Sequence, residues 1–330
     1  MENRYILSKT GPGVHIANAT KDGQTVPVYM LENDGRASDW PTSKEGETKI
    51  FQRFLEKDKK LTRDDIAYLC DQFEKGETTV NIPRLSRKYE AALGAVQRRT
   101  CGDINFGAEV EVFPVMNKKH FVMSVFGTSQ CGKSYFITQM VMKYPARGEG
   151  LVYLMTPSKQ KEMIDTFEEE EISYAKIDLL EFRREIGRNM DPEDFIPGSI
   201  VIMDDIETFP ETYTDEDGKE RPMRRLYTNL RTQLMERGMS HQDLTVYSVS
   251  HRGLGGKITQ SSVAESTYYV IFPRTNPNDV TNLLEKYGGL TKPVIRDLID
   301  HKYPDVGGWV MYAKIPPKYA IWRHGVMALE

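Results

Sequence analysis

The residues best suited to chemistry are GTSQCGKS, from Gly127 to Ser134: a glycine, four residues, a second glycine, a lysine and a serine. Glycines let a backbone curl until consecutive amides point at one anion, and a helix starting near Gly132 adds the positive end of its dipole. The expected ligand is a nucleoside triphosphate. Lys133 is expected to bridge its β- and γ-phosphates and the Ser134 hydroxyl to ligate Mg2+. The whole run Gly127, Thr128, Ser129, Gln130, Cys131, Gly132, Lys133, Ser134 and Tyr135 forms the expected binding surface.

A second stretch, GSIVIMDDIE from Gly198 to Glu207, ends an apolar run in consecutive carboxylates. The first, Asp204, is placed to hold the Mg2+ shell. Asp205, or Glu207 two residues on, is placed to orient and deprotonate an attacking water. LTVYSVSHRG ends in Ser250, His251 and Arg252, where a phosphate-binding ATPase keeps the group that senses the γ-phosphate. His251 reads equally as a satisfied polar residue at a strand end. Arg224, Arg225, Arg231 and Arg237 lie on or beside one helical segment, where an arginine reaches a neighbouring subunit's γ-phosphate in some ATPases and a solvated surface in most proteins.

These groups need elements to hold them. HFVMSVF before the glycine loop reads as a buried strand and YFITQMVMKY after it as a helix. GLVYLMTPS, GSIVIMDD, LTVYSVS and STYYVIFPR read as further buried strands, with YAKIDLLE a weaker one. Strands alternating with helices imply a mainly parallel sheet covered on both faces, with the loops after its strands gathered round the ligand. RPMRRLYTNLRTQLMERG reads as a helix with Met223, Leu226, Tyr227, Leu230 and Leu234 on one face, Pro222 in its first turn and Gly238 at its C-cap. ETYTDEDGKERP reads as a polar loop, and EEEE at 168–171 as a solvated run. VTNLLEKYG and TKPVIRDLID give short helices, and GWVMYAKIPPKYAIW a hairpin whose aromatics are for packing.

Before residue 105 the pattern differs. The first 50 residues read as short strands and loops. Three amphipathic pieces follow: one with Ile50, Phe51, Phe54 and Leu55 on a face, one capped by Thr62 with Ile66, Leu69, Cys70 and Phe73 inward and stopped by Gly76, and one with Leu85, Tyr89, Leu93 and Val96. The last carries Arg84, Arg87, Lys88, Arg98 and Arg99, read as a solvated basic face. The expected division is an N-terminal α+β region, 1–105, and an α/β domain, 106–330.

Composition sets limits on class. With 330 residues, 39% of them hydrophobic, a large domain and a smaller companion fit. No apolar run reaches the roughly 20 residues a bilayer crossing needs, and the opening MENRYILSKTGPGVH reads as no signal segment, so a soluble chain is expected. Cys70, Cys101 and Cys131 form neither a disulfide framework nor a zinc cluster, which points to a reducing compartment. A formal charge of −4 gives no general attraction to nucleic acid.

The ordered set FGTSQCGKS, a strand ending DD, an arginine-bearing helix, a strand ending in a polar sensor and the following YYVIFPR resembles the FtsK/HerA superfamily of DNA-translocating ATPases. Within it, the set is most similar to the genome-packaging ATPases of large DNA viruses and their relatives, over residues 115 to 300. The resemblance implies a RecA-like P-loop NTPase fold and ATP hydrolysis with Mg2+ at the interfaces of a homo-oligomeric ring, a hexamer or pentamer. It further implies loops that grip double-stranded DNA, with Arg221, Arg224 and Arg225 as candidate channel residues. It puts Asp204 at the metal-holding aspartate, Asp205 where many relatives have a glutamate base, His251 where bacterial relatives have a sensor glutamine, and Arg237 near their trans-acting arginine, with Arg231 and Arg252 as alternatives. Capsid or portal-vertex proteins are implied partners, and the host cytoplasm, with virion association, the implied location. Competing expectations are a nucleotide or nucleoside kinase, with RPMRRLYTNLR as its lid, and a nucleotide-gated assembly protein with little hydrolysis.

Overall fold

In the computed structural model, residues 5–33, 44–100, 103–105, 109–209, 212–214, 218–251, 263–273, 275–302 and 308–329 are described. By contacts the chain forms two compact units, residues 1–117 with 317–330, and residues 118–316.

The first unit begins with strands β1 (Tyr5–Ser8), β2 (Val14–Lys21) and β3 (Gln24–Glu32), which join β5 (Glu111–Pro114) in an antiparallel sheet of order β1-β3-β2-β5. Asp22 (φ 49°) and Gly23 (φ 76°) turn β2 into β3, the left-handed pair that matches strand twist in a tight hairpin. Helices α1 (Lys44–Glu56), α2 (Arg63–Glu74) and α3 (Pro83–Thr100) follow and bury a cluster of Phe51, Leu55, Leu69, Leu85, Tyr89 and Val96. Thr62 caps α2 in a reciprocal capping box with Asp65, and Asp65 also pairs with Arg84 of α3 at 2.6 Å. Phe54, assigned to the apolar face by spacing, is instead 38% exposed, because Phe51 and Leu55 already fill the space against the neighbouring helices. The final strands β15 (Tyr319–Trp322) and β16 (Gly325–Ala328) belong to this unit, where β16 pairs antiparallel with β4 (Asp103–Asn105).

The second unit holds the predominantly parallel sheet. Its strands are β6 (Val122–Phe126), β7 (Val152–Met155), β8 (Tyr174–Lys176), β9 (Ile200–Asp204), β12 (Thr245–Ser250), β13 (Tyr268–Ile271) and β14 (Val310–Ala313). They lie in the order β14-β13-β6-β12-β9-β7-β8, and only β14 runs antiparallel. Every residue of β6, β7, β9, β12 and β13 is buried, as expected of parallel strands covered on both faces. Helices α4 (Lys133–Lys143), α5 (Lys161–Glu169), α6 (Leu179–Ile186) and α7 (Arg224–Gln233) connect them, with further helices at Pro277–Lys286 and Lys292–Lys302.

Three local expectations are corrected. The polar stretch after Glu211 is not all loop: β10 (Thr212–Thr214) and β11 (Glu220–Pro222) pair antiparallel, so Pro222 sits in a strand rather than in the first turn of α7. Gly238 does not end the helix. It has φ −57° in a π-turn, Leu234–Gly238, after which the helix runs through Met239–Gln242 to a left-handed Asp243. Gly238 is buried, and Leu234, Leu244 and Val246 all lie 3.6 Å from where a Cβ would stand, ordinary van der Waals contact. The YAKIDLLE strand is short, because Asp178 accepts from the amides of Leu180 and Glu181 and starts α6.

Candidate nucleotide site

The site is built at one end of the parallel sheet. Register aligns Phe126 of β6 with Ser250 of β12, Val249 of β12 with Asp204 of β9, and Met155 of β7 with Met203 of β9. The residues that follow, Gly127, His251, Asp205 and Thr156, therefore emerge along a common edge, the usual place for a ligand in an open α/β sheet. One strand, β12, separates the glycine loop from the two acids.

Close packing makes the loop. The Gly127 amide donates to Ser250 O at 3.2 Å. A Cβ on Gly127 would stand 2.5 Å from Cys131 Sγ and 2.8 Å from Phe272 Cβ, so only glycine fits. Gln130 (φ 60°) and Gly132 (φ 101°) are left-handed, reversing the chain into α4. No side chain caps α4, which leaves its first amides to whatever anion lies at its N-terminus. Cys131 is buried beneath the loop, and that burial pushes its thiol pKa up. Ser129 and Gln130 are exposed, Thr128 and Ser134 half-buried, and Tyr135 is 72% exposed on the first turn of α4.

Lys133 is 5% exposed. It donates to Gly127 O and Thr128 O, both at 2.9 Å, and lies 3.3 Å from His251 Nδ1. Burial pushes its pKa down, against Cys131, Asp204 and Asp205, which act the other way. On the far side of the imidazole, His251 Nε2 is 3.2 Å from Asp205 Oδ2. A neutral ring with its proton on Nε2 satisfies both contacts, accepting from Lys133 and donating to Asp205. Asp205 itself is left-handed, φ 57°, so the chain turns sharply between the two acids.

Asp204 is 6% exposed. Burial pushes its carboxyl pKa up, Lys133 opposes that, and Asp205 adds to it. One oxygen, Oδ2, accepts from Gln160 Nε2 at 2.5 Å. The other, Oδ1, is buried and among the described residues has no hydrogen-bond partner. Such an oxygen is costly unless a cation or water meets it, and a hard carboxylate oxygen fits Mg2+. Among the described residues, no three His, Cys, Asp or Glu side chains cluster as a complete metal cage. Phosphate oxygens and water would supply the remaining ligands, as is usual for this ion.

Lys133, Asp204, Asp205 and His251 are thus brought together by a sheet edge that the sequence implied. Arg237 is exposed in the π-turn and among the described residues forms no ion pair with these groups. Arg231 is 2% exposed, buried on α7 within this chain. Arg252 and the Glu207 side chain lie outside the described residues. Arg224 and Arg225 are exposed at the start of α7, and Arg221 is half-buried in β11. Gln160 was missed altogether. Its only sequence signal is its place in the polar run TPSKQ after a buried strand, and its partner lies 44 residues away.

No protein-family model matches the chain, and no curated protein matches it. Among solved structures it is similar to the genome packaging NTPase B204 from Sulfolobus turreted icosahedral virus 2 in complex with AMPPCP: 11% identity, 62% of this chain and 98% of that one, TM-score 0.38. It is also similar to the pCW3 conjugation coupling protein TcpA with ATPγS (10% identity, 96% and 77%, TM-score 0.40). A third is the cytoplasmic domain of the Type VII secretion ATPase EccC of Thermomonospora curvata (17%, 51% and 21%, TM-score 0.32). The chain's own sheet order and glycine loop make it a mixed α/β P-loop NTPase fold with a mostly parallel sheet flanked by helices.

Proposed function

We propose that the chain hydrolyses ATP with Mg2+ and uses the turnover to move double-stranded DNA as a ring, most specifically as a viral genome-packaging motor. The observation that carries the hydrolytic part is the line of contacts from Lys133 through His251 to Asp205, beside an Asp204 whose buried Oδ1 has no partner among the described residues. In this reading the amides of 127–134 and the Lys133 ammonium bind the β- and γ-phosphates, and Lys133 exchanges its contacts with Gly127 O and Thr128 O for phosphate oxygens. Ser134 Oγ and Asp204 Oδ1 would hold the ion, which would supply neutralisation of the phosphate charge. Asp205 takes the proton of the attacking water, held at its other oxygen by His251. A carboxylate one methylene shorter than glutamate is thereby fixed by a neighbour rather than by its own reach.

The DNA part rests on the resemblance of the ordered motifs and on the exposed Arg224 and Arg225 beside the β10–β11 hairpin. A ring repeats such charges around one channel, so a chain of net negative charge still presents a basic path to phosphates. Arg237, exposed on a helix, is the arginine proposed to reach the neighbouring subunit, and capsid or portal proteins are the proposed docking partners.

The deciding experiment measures ATPase rate with and without duplex DNA, alongside sedimentation with and without nucleotide. Stimulation by DNA and nucleotide-dependent assembly are expected. A monomer whose ATPase ignores DNA removes the motor. Turnover that requires a nucleoside acceptor makes the chain a kinase, and an unchanged, slow rate after Asp205→Asn makes it a nucleotide-gated assembly protein.

A further inference from the structure

Gln160 enters the site from a position that no motif marks. It is the residue before α5, where a side chain ordinarily caps a helix by accepting from one of its first amides. It makes no such bond. Its backbone is left-handed, φ 42° and ψ 42°, a conformation that glycine adopts freely and a residue with a Cβ resists. An uncapped helix and a resisted backbone thus occur at one residue. What they permit is a single contact across 44 residues of sequence, Nε2 to Asp204 Oδ2 at 2.5 Å. The amide nitrogen must face the carboxylate, since the reversed amide would set two acceptor oxygens against each other.

We propose that Gln160 is the positioning residue for the cation-binding carboxylate: by occupying Oδ2 it fixes the orientation of Asp204 and reserves the buried Oδ1 for the Mg2+ of the bound nucleotide. The identity of the cation rests on the ATPase reading; the division of labour between the two oxygens rests on the contacts of Asp204. Glutamine suits the task chemically. Its NH2 donates without carrying charge, so it aligns the carboxylate without neutralising it, whereas lysine or arginine in its place would compete with the cation and glutamate would repel Asp204. The contact also ties the start of α5 and the loop after β7 to the acid, so a change in how Asp204 meets its ion is felt in the loop.

The test uses the full chain and needs no hydrolysis. Wild type, Gln160→Met and Gln160→Gly are titrated with a fluorescent non-hydrolysable ATP analogue at rising Mg2+ and again in EDTA, and Mn2+ binding is read by electron paramagnetic resonance. Methionine keeps length and volume without the donor; glycine removes the side chain while suiting the backbone. Both variants are expected to need about tenfold more Mg2+ for half-maximal binding, the scale seen when a ligand loses its supporting hydrogen bond. Their affinity in EDTA stays within about twofold of wild type, and Gln160→Gly melts no lower. Mg2+ dependence unchanged in either variant overturns the proposal, as does an equal loss with and without the ion, which marks a packing role. If wild type itself binds the analogue no better with Mg2+ than in EDTA, the metal–nucleotide reading fails first and this proposal with it. If wild type shows the dependence and both variants match it, only the role of Gln160 is lost.

Discussion

The three-helix cluster of α1–α3 and the nucleotide site of β6, β9 and β12 follow opposite local rules. In the first, Thr62 and Asp65 cap α2 reciprocally, Arg84 completes the Asp65 carboxylate, the buried Tyr89 hydroxyl donates to Glu77 O at 2.6 Å, and Phe51 stacks on Phe73. The only left-handed residue is the glycine that stops α2, Gly76. In the second, Gln130, Gln160 and Asp205 are left-handed without being glycine, α4 and α5 start without a side-chain cap, and a carboxylate oxygen is buried bare. Agreement between local preference and fold marks a region held for stability; its repeated violation marks one held for a ligand.

Substitutions at the two regions should therefore differ in kind. The largest effect is expected from Lys133→Ala, which removes the ammonium that bridges loop carbonyls and His251: ATP turnover should fall by about 100-fold or more, with the fold retained by circular dichroism. Opposite signs are the sharper test. Thr62→Ala removes a cap and should lower stability by about 1 kcal/mol, whereas Asp204→Asn removes a charge that burial disfavours and should raise it by about 1 kcal/mol while ending Mg2+-dependent hydrolysis. Denaturant midpoints of the two variants decide this; if Asp204→Asn is the less stable, the site is not under the tension its geometry implies. The smallest effect is with pH. The Arg84 guanidinium and the Thr62 amide hold the Asp65 pKa down at about 2, against an ordinary 3.8. A depressed carboxylate contributes stability that is complete above its ordinary value and lost as pH falls through the folded one. Acid unfolding should therefore lose an Arg84-dependent component between about pH 4 and pH 2, and Arg84→Gln should remove it.

How much of this was legible depends on the range of the interaction. The glycine loop, the apolar run into Asp204 and Asp205, the Thr62 cap and the buried face Met223, Leu226, Tyr227, Leu230 and Leu234 are all patterns within a few residues, and each lies where its spacing implied. Phe54 and Gly238 depart from their spacing because spacing names a face but not which member of it a neighbour already covers, and a glycine signals a helix end only where the backbone turns left-handed, which here happens at Asp243. The hairpin β10–β11 was hidden by its polar composition: Tyr213 packs against the core cluster, but one apolar position gives no alternation to read. His251 could be suspected from its strand end, but its place between Lys133 and Asp205 follows only from the strand order, and Gln160 follows from nothing nearer than Asp204.

That order gives β12 a further property. Both of its edges are paired in parallel, one to the strand that launches the phosphate loop and one to the strand that ends in the acids. A single residue inserted or deleted within Thr245–Ser250 would reverse the facing of every side chain beyond it and displace the imidazole by about 3.3 Å along the strand. The histidine would then lose its lysine and its aspartate in the same stroke. The middle strand acts as a gauge whose length, more than its composition, keeps the two halves of the site in step.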